Sequence, residues 1–284
     1  MQGGGRVRFA GMGRQVSSVE NRGVPRRWWL FGVPVDAVTH ESALARAVAL
    51  VDAAVPGRVA LVFTPNPETV MAARRDSASG KVLRSADLAL PDGVGIAWAA
   101  RRAGRPLPAR VPGVEFLDTL LQVAAKREWP VYFLGAAPGV AAAAARRAEQ
   151  RYPGLVVAGV AHGFFAPEEE ATEVAAIRRS GAHLLFVGLG GVRQHAFLYT
   201  HRAEFGEVRL AMAVGGSLDV LSGAVTRAPR WVQRAGLEWL WRLLHDPGRW
   251  RRQLALPRFA FAVLRAGRAC VSPMPPEGEL GTRD

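Results

Sequence analysis

The chain has one cysteine, two lysines and no long apolar run, and each shortage removes a class of protein. A lone Cys270 permits no internal disulfide, so nothing demands an oxidising compartment and a cytoplasmic location is the default. The longest apolar stretches, such as HLLFVGLGGV, fall far short of the ~20 residues that span a bilayer, so any membrane contact is expected along its surface. Residues 1–26 are rich in Gly and Arg and lack the ~7–15 apolar residues of a secretion signal, which predicts a flexible leader. There is no Asp-x-Asp pair to hold a divalent cation against a sugar diphosphate, no P-loop, and no His-Glu-x-x-His or Cys-x-x-Cys spacing. His195 and His201 read as surface residues on different faces of a helix, not a metal pair. Neither a metal site nor a cofactor is expected.

The scarcity of lysine means that 35 of the 37 basic residues are arginine, a ratio that coding bias explains as well as chemistry does. A net charge of +13 makes nucleic acid a conceivable partner through phosphate neutralisation. No helix-turn-helix, zinc-finger or base-stacking motif accompanies it, so nucleic acid is not expected. A non-enzymatic nucleotide or nucleic-acid binder remains the alternative from another class.

What is present is an ordinary α/β body with an unusual tail. At 284 residues and 49% hydrophobic content the chain is not disordered and accommodates one domain of about 200 residues plus an appendage. Apolar runs recur at 59–64, 86–91, 131–135, 155–160, 183–188 and 209–215, and helical patterns such as 113–126 separate them. This alternation predicts βαβ units and a mostly parallel sheet flanked by helices. Before it, residues 28–40 read as a short β-element and 41–55 as the first helix.

Between Trp231 and Arg268 lies a basic, aromatic-rich helical segment. From Arg227 to Arg268, ten arginines face Glu238 and Asp246, a net of +8 out of the chain's +13, together with Trp231, Trp239, Trp241 and Trp250. Amphipathic rings beside arginines suit a headgroup layer, so this segment predicts a peripheral contact with an anionic membrane surface. Leu237, Leu240, Trp241 and Leu244 form its apolar stripe; Asp246–Pro247 reads as a helix start, and Pro257 as the opening of a further short helix. The expected organisation is a leader (1–26), a core (27–228), a helical appendage (229–268) and a disordered tail (269–284).

In open α/β sheets ligands sit beyond the carboxyl ends of the strands, where this chain carries TPNPE, PDGVG, GAAPG, AHGFF, GLGGVRQH and GGSLD. The glycines of GAAPG (Gly135, Gly139) and GLGG (Gly188, Gly190) fit loops bringing backbone N–H groups to a diphosphate, or simply tight turns. GLGGVR lacks the third glycine and the following acid of a dinucleotide fingerprint, which disfavours an oxidoreductase. Asp92 is either a carboxylate at the cleft mouth, able to act as general base, or the cap of a helix over 93–103; taken alone, the cap is the simpler reading. Thr64 and Asn66 serve as ligand contacts or as the turn and cap of a helix over 67–80, and Gln194 as a ligand contact or an exposed polar residue.

In order, the strings TPNPETVMAARRD, ADLALPDGVGIAWAARRAGRPLPARVPG, FLGAAPGVAAAAARR, GFFAPEEE, LLFVGLGGVRQ and GSLDVLSGAVTRAPRWVQRAGLEWLWRLLHDPGR resemble the blocks of the WecG/TagA/CpsF family of bacterial glycosyltransferases, from about Trp28 to Arg268. The resemblance implies a Rossmann-like core with a C-terminal helical appendage that docks on the membrane and completes the active site. It implies inverting, metal-independent transfer of an N-acetylmannosamine-type sugar from its UDP donor to polyprenyl-diphosphate-linked N-acetylglucosamine, as in teichoic acid synthesis. The enzyme would then lie on the inner face of the cell membrane. By the same resemblance Asp92 is the base, Thr64, Asn66 and Gln194 line the sugar and nucleotide pocket, Arg110 lies beside the cleft, and Arg242, Arg249 and Arg252 hold a diphosphate. The chain departs from the family at Arg193-Gln194-His195, where Lys-Gln-Glu is usual, at Pro112 in place of Thr, and at Glu115 in place of Asp. Related members use other UDP sugars, including glucose and mannosaminuronic acid, and self-association through the core is left open.

Overall fold

The computed structural model describes residues 25–55, 57–245 and 250–275, without the side chains of Arg234, Arg242, His245, Arg251 and Arg252. The expected leader and the Asp246–Pro247 helix start lie outside the described residues, apart from Pro25 and Arg26.

Six short apolar runs form the central sheet: β3 (Ala60–Phe63), β4 (Leu88–Ala89), β5 (Val131–Gly135), β6 (Val157–Ala161), β7 (Leu184–Gly188) and β8 (Leu210–Ala213). Their order is β4-β3-β8-β7-β5-β6, and every pairing is parallel. All but β6, an edge strand, are buried along their length, because helices cover both faces. On one face α1 (His40–Asp52), α5 (Gly113–Arg127), α6 (Val140–Arg151) and α9 (Ser217–Ser222) enclose Val62, Phe116, Phe133 and Phe186. On the other, α2 (Pro67–Ala73), α3 (Ser77–Arg84), α4 (Val94–Arg102), α7 (Glu170–Arg179) and α8 (Arg193–His201) enclose Phe63, Leu61, Leu185 and Phe197. This is the α/β class the alternating pattern implies. The expected helix over 67–80 is interrupted, because the Asp76 carboxylate accepts from Ala78 N at 3.1 Å and Ser79 N at 2.9 Å and starts α3 anew.

A hairpin of β1 (Arg27–Leu30) and β2 (Val33–Asp36) precedes the sheet. Its fully buried Asp36 takes Arg27 Nε at 2.7 Å and Nη2 at 2.9 Å, and also accepts the Ala89 N–H at 2.7 Å. One carboxylate thus fastens the hairpin to the strand leading to Asp92.

The C-terminal segment comprises α10 (Arg230–Arg234), α11 (Glu238–His245), α12 (Trp250–Gln253) and α13 (Ala255–Ala266). Its last helix is a structural part of the body: Phe259 and Val263 of α13 are buried in the same cluster as Phe63 and Ile96. Pro257 stands within the first turn of α13, where its missing N–H costs nothing, and does not open a separate helix. Residues 269–275 also differ from the expected disorder, and the rest of that segment lies outside the described residues. Cys270 is buried, and β9 (Val271–Ser272) pairs antiparallel with β1, because Val271 completes the apolar underside of the hairpin.

Candidate active site

A cavity of about 280 Å³ opens past the carboxyl ends of β3, β4, β7 and β8, four strands adjacent in the sheet. Thr64 and Asn66 come from the turn after β3, Asp92 from that after β4, Gly190 and Gln194 from the β7–α8 connection, and Arg110 from the segment before α5. These six expected residues are brought together from positions up to 130 apart in the chain. Gly135, Gly139 and Gly188 do not line it. Their glycines answer to packing and turns instead: a Cβ on Gly135 (φ +138°) would stand 2.5 Å from Gly188 O, and one on Gly188 would stand 2.7 Å from Gly215 O. Arg249 lies outside the described residues, and of Arg242 and Arg252 only the backbone, on α11 and α12, is described.

Asp92 is not a helix cap. Gly93, with φ +80°, occupies the N-cap of α4 and supplies no side chain, while Asp92 Oδ2 accepts a long 3.4 Å bond from Gly113 N. Burial pushes the Asp92 carboxyl above the usual carboxylate range, opposed by the Gly113 N–H and Arg110 and aided by Glu238. Gly113 packs closely here: a Cβ there would press on Thr64 Cγ2 at 3.1 Å and touch Asp92 Oδ2 at 3.7 Å.

Helices α4, α5 and α9 begin at the cavity with Gly93, Pro112 and Gly216 as N-caps, none of which makes a side-chain cap bond. The first N–H of α5, on Gly113, is taken by Asp92 and that of α9, on Ser217, by Val214 O at 3.0 Å, but the positive ends of the three helix dipoles still favour an anion. Asn66 does two jobs, lining the cavity while its Oδ1 caps α2 on Thr69 N at 3.0 Å. Gln194 is buried, and its Oε1 accepts from Gly215 N at 3.0 Å, which fixes the β8–α9 turn.

The wall also holds Glu68, Gly113, Ser217, Glu238 and Trp239, none of which was expected at the site. Glu68 and Ser217 lie within strand-end strings already marked, and Glu238 is one of only two acids in a strongly basic segment, which was its visible signal.

His195 corrects the surface reading. It is 1% exposed and meets Phe63 edge-on at a 4.7 Å centroid distance; burial, opposed by the Gly191 backbone, lowers its pKa to about 4, so the ring is neutral. His201 instead sits between Glu170 and Glu204, each at 2.8 Å. Among the described residues no group of three or more His, Cys, Asp or Glu is placed to hold a metal ion. Of the departures from the family pattern, only Pro112 lines the cavity. Arg193 turns away to Phe165 O at 3.2 Å, and Glu115 pairs with Arg227 at 2.7 Å.

A desolvated carboxylate among three helix N-termini suits transfer onto a hydroxyl from a phosphate leaving group, and the class is that of an α/β glycosyltransferase. The model of the glycosyl transferase WecG/TagA/CpsF family matches residues 28–270, and the chain belongs to that family. Similar curated proteins carry the name N-acetylglucosaminyldiphosphoundecaprenol N-acetyl-beta-D-mannosaminyltransferase. That of Bacillus spizizenii is 37% identical over 214 residues, covering 75% of this chain and 82% of the relative. Those of Bacillus subtilis and Staphylococcus aureus are 35% identical over 207 residues, covering 72% and 73% of this chain and 79% and 80% of the relatives.

Proposed function

We propose that this glycosyltransferase moves N-acetylmannosamine from UDP to polyprenyl-diphosphate-linked N-acetylglucosamine, with inversion and without a metal ion, in the synthesis of a teichoic-acid-type polymer. The single observation that carries the chemistry is Asp92: a carboxylate in the cavity wall whose proton affinity is raised by burial. Inversion by single displacement needs one base and no enzyme nucleophile. Asp92 takes the proton of the acceptor hydroxyl as that oxygen attacks the sugar's anomeric carbon and the bond to UDP breaks. The charge that develops on the departing diphosphate is met by Arg110 and by the positive N-terminal ends of α4, α5 and α9. Arg242, Arg249 and Arg252 add further cations in this reading. Thr64, Asn66 and Gln194 orient the sugar and nucleotide.

The acceptor's lipid requires the cavity to work at a bilayer surface, and we place the protein on the inner face of the cell membrane. Exposed Trp231, Trp250, Leu244, Phe261 and Leu264 on the C-terminal helices, with Arg258 and Arg265 beside the last two, support a face that lies in the headgroup layer. Among the described residues no helix is long and apolar enough to cross a membrane.

The test is a panel of UDP sugars with a short-chain polyprenyl-diphosphate N-acetylglucosamine acceptor, read as UDP release. Release with UDP-N-acetylmannosamine that needs the acceptor and persists in EDTA is expected. Preference for UDP-glucose or a mannosaminuronic acid donor would overturn the sugar, and loss of turnover in EDTA would overturn the metal-free route.

A further inference from the structure

The C-terminal segment brings an acid to the cavity as well as cations. Glu238 opens α11 and stands in the same wall as Asp92, with its side chain only 18% exposed. Arg227, itself 20% exposed, lies between two carboxylates: Nη2 is 2.7 Å from Glu115 Oε1 on α5, and Nε is 3.4 Å from Glu238 Oε1. The turn before α11 is pressed onto the loop that carries Asp92. A Cβ on Gly236 (φ +73°) would stand 2.8 Å from Val94 Cγ1, two residues beyond Asp92. Arg227 therefore faces inward as a clasp between core and tail, and not toward a membrane.

We propose that Glu238 is a positioning residue for Asp92, held in the cavity wall by the Arg227 clasp to Glu115, so that seating the C-terminal helices completes the electrostatic surroundings of the reacting carboxylate. The inference rests on Asp92 being the base. Among the described residues, the charged groups that share the cavity wall with Asp92 are Arg110 from the segment before α5, Glu238 from α11 and Glu68 from α2, with the Gly113 and Gly93 N–H groups as neutral donors. Arg110 and Gly113 stabilise the carboxylate and so weaken it as a base; Glu238 opposes them. Arg227 ties Glu238 to Glu115, and the negative charge that acts on Asp92 is that of Glu238 itself. Lifting α11 away would remove that charge and admit water, leaving Asp92 under the influence of Arg110 and poorly matched to an alcohol proton. Base strength is thereby coupled to seating of the tail.

The experiment uses the full chain with Glu238→Gln, which keeps an oxygen to accept from Arg227 and removes the charge. The acid limb of kcat/KM against pH should move down by about 0.5–1 pH unit, the size of one partly screened charge across a cavity. Glu238→Asp should leave the limb where the unmodified protein has it. A carbon-13 titration of the Asp92 carboxyl should report the same displacement, and it remains readable if turnover in the variant is too slow to profile. An acid limb and an Asp92 titration unchanged in Glu238→Gln overturn the positioning role. Retention of full turnover by Asp92→Asn is the separate result that would overturn the base assignment itself.

Discussion

Replacing Asp36 with alanine should cost the fold about 3–5 kcal/mol, the range for removing one partner of a buried ion pair. The carboxylate is 1% exposed and satisfies three donors: Arg27 Nε at 2.7 Å, Arg27 Nη2 at 2.9 Å and the Ala89 N–H at 2.7 Å. Alanine would leave a guanidinium that is three-quarters buried with only the Ala86 and Asp87 carbonyls, and would strand the Ala89 N–H, which alone costs about 1–3 kcal/mol. At roughly 2–4 °C per kcal/mol for a chain of this size, the melting temperature should fall by about 6–20 °C. Asp36→Asn, which can still accept from Ala89, should lose less. Thermal melting followed by circular dichroism measures both. A fall below about 3 °C for the alanine variant would mean that the clasp between hairpin and β4 contributes little, and that the loop bearing Asp92 is held in place by other means.

Two further outcomes follow from buried and exposed faces of the same molecule. The His195 ring is held near a pKa of about 4 in the folded chain against about 6.5 when unfolded, so its contribution is full above pH ~6.5 and is lost as pH falls toward 4. His195→Leu should therefore melt at or above the parent at pH 7.5 and lose less stability between pH 7.5 and 5; an unchanged acid dependence in melting scans would contradict this. On α13, Phe261 and Leu264 are 66% and 52% exposed while Phe259 and Val263 anchor the helix, so Phe261→Glu with Leu264→Glu should leave melting within about 0.5 kcal/mol. The same variant should bind anionic liposomes at least about 10-fold more weakly in a sedimentation assay. Undiminished liposome binding would move the membrane face elsewhere.

Much of the architecture was legible because strands buried on both faces are continuous apolar runs, and the spacing between them admits helices. The strand-end strings located Thr64, Asn66, Asp92 and Gln194 for the same reason: in a parallel sheet every carboxyl end lies on one edge. Strand order was not legible. The glycines after β5 and β7 look alike in sequence, but β5 is the fifth strand across the sheet, one removed from the cavity's four, so Gly135 and Gly139 fall outside while Gly190 falls inside. Composition also misjudged the tail. Ten arginines in a row of helices suggest a single exposed basic face, yet Arg227 is spent on Glu115 and Glu238, and α13 with β9 closes the core. His195 sits on a helix face that hydropathy assigns to solvent and tertiary packing assigns to Phe63.

The most direct test of the catalytic role is Asp92→Asn, assayed at pH 7 for both turnover and melting. Burial raises the Asp92 pKa in the folded state, so the ionised carboxylate detracts from stability above that pKa, and the neutral amide, which still accepts from Gly113 N, removes the penalty. Acceptor-dependent UDP release should drop by roughly 10²–10⁴-fold while the melting temperature holds or rises. Turnover within a few-fold of the parent, or a loss of activity that merely tracks a loss of stability, would contradict a role for Asp92 as the base.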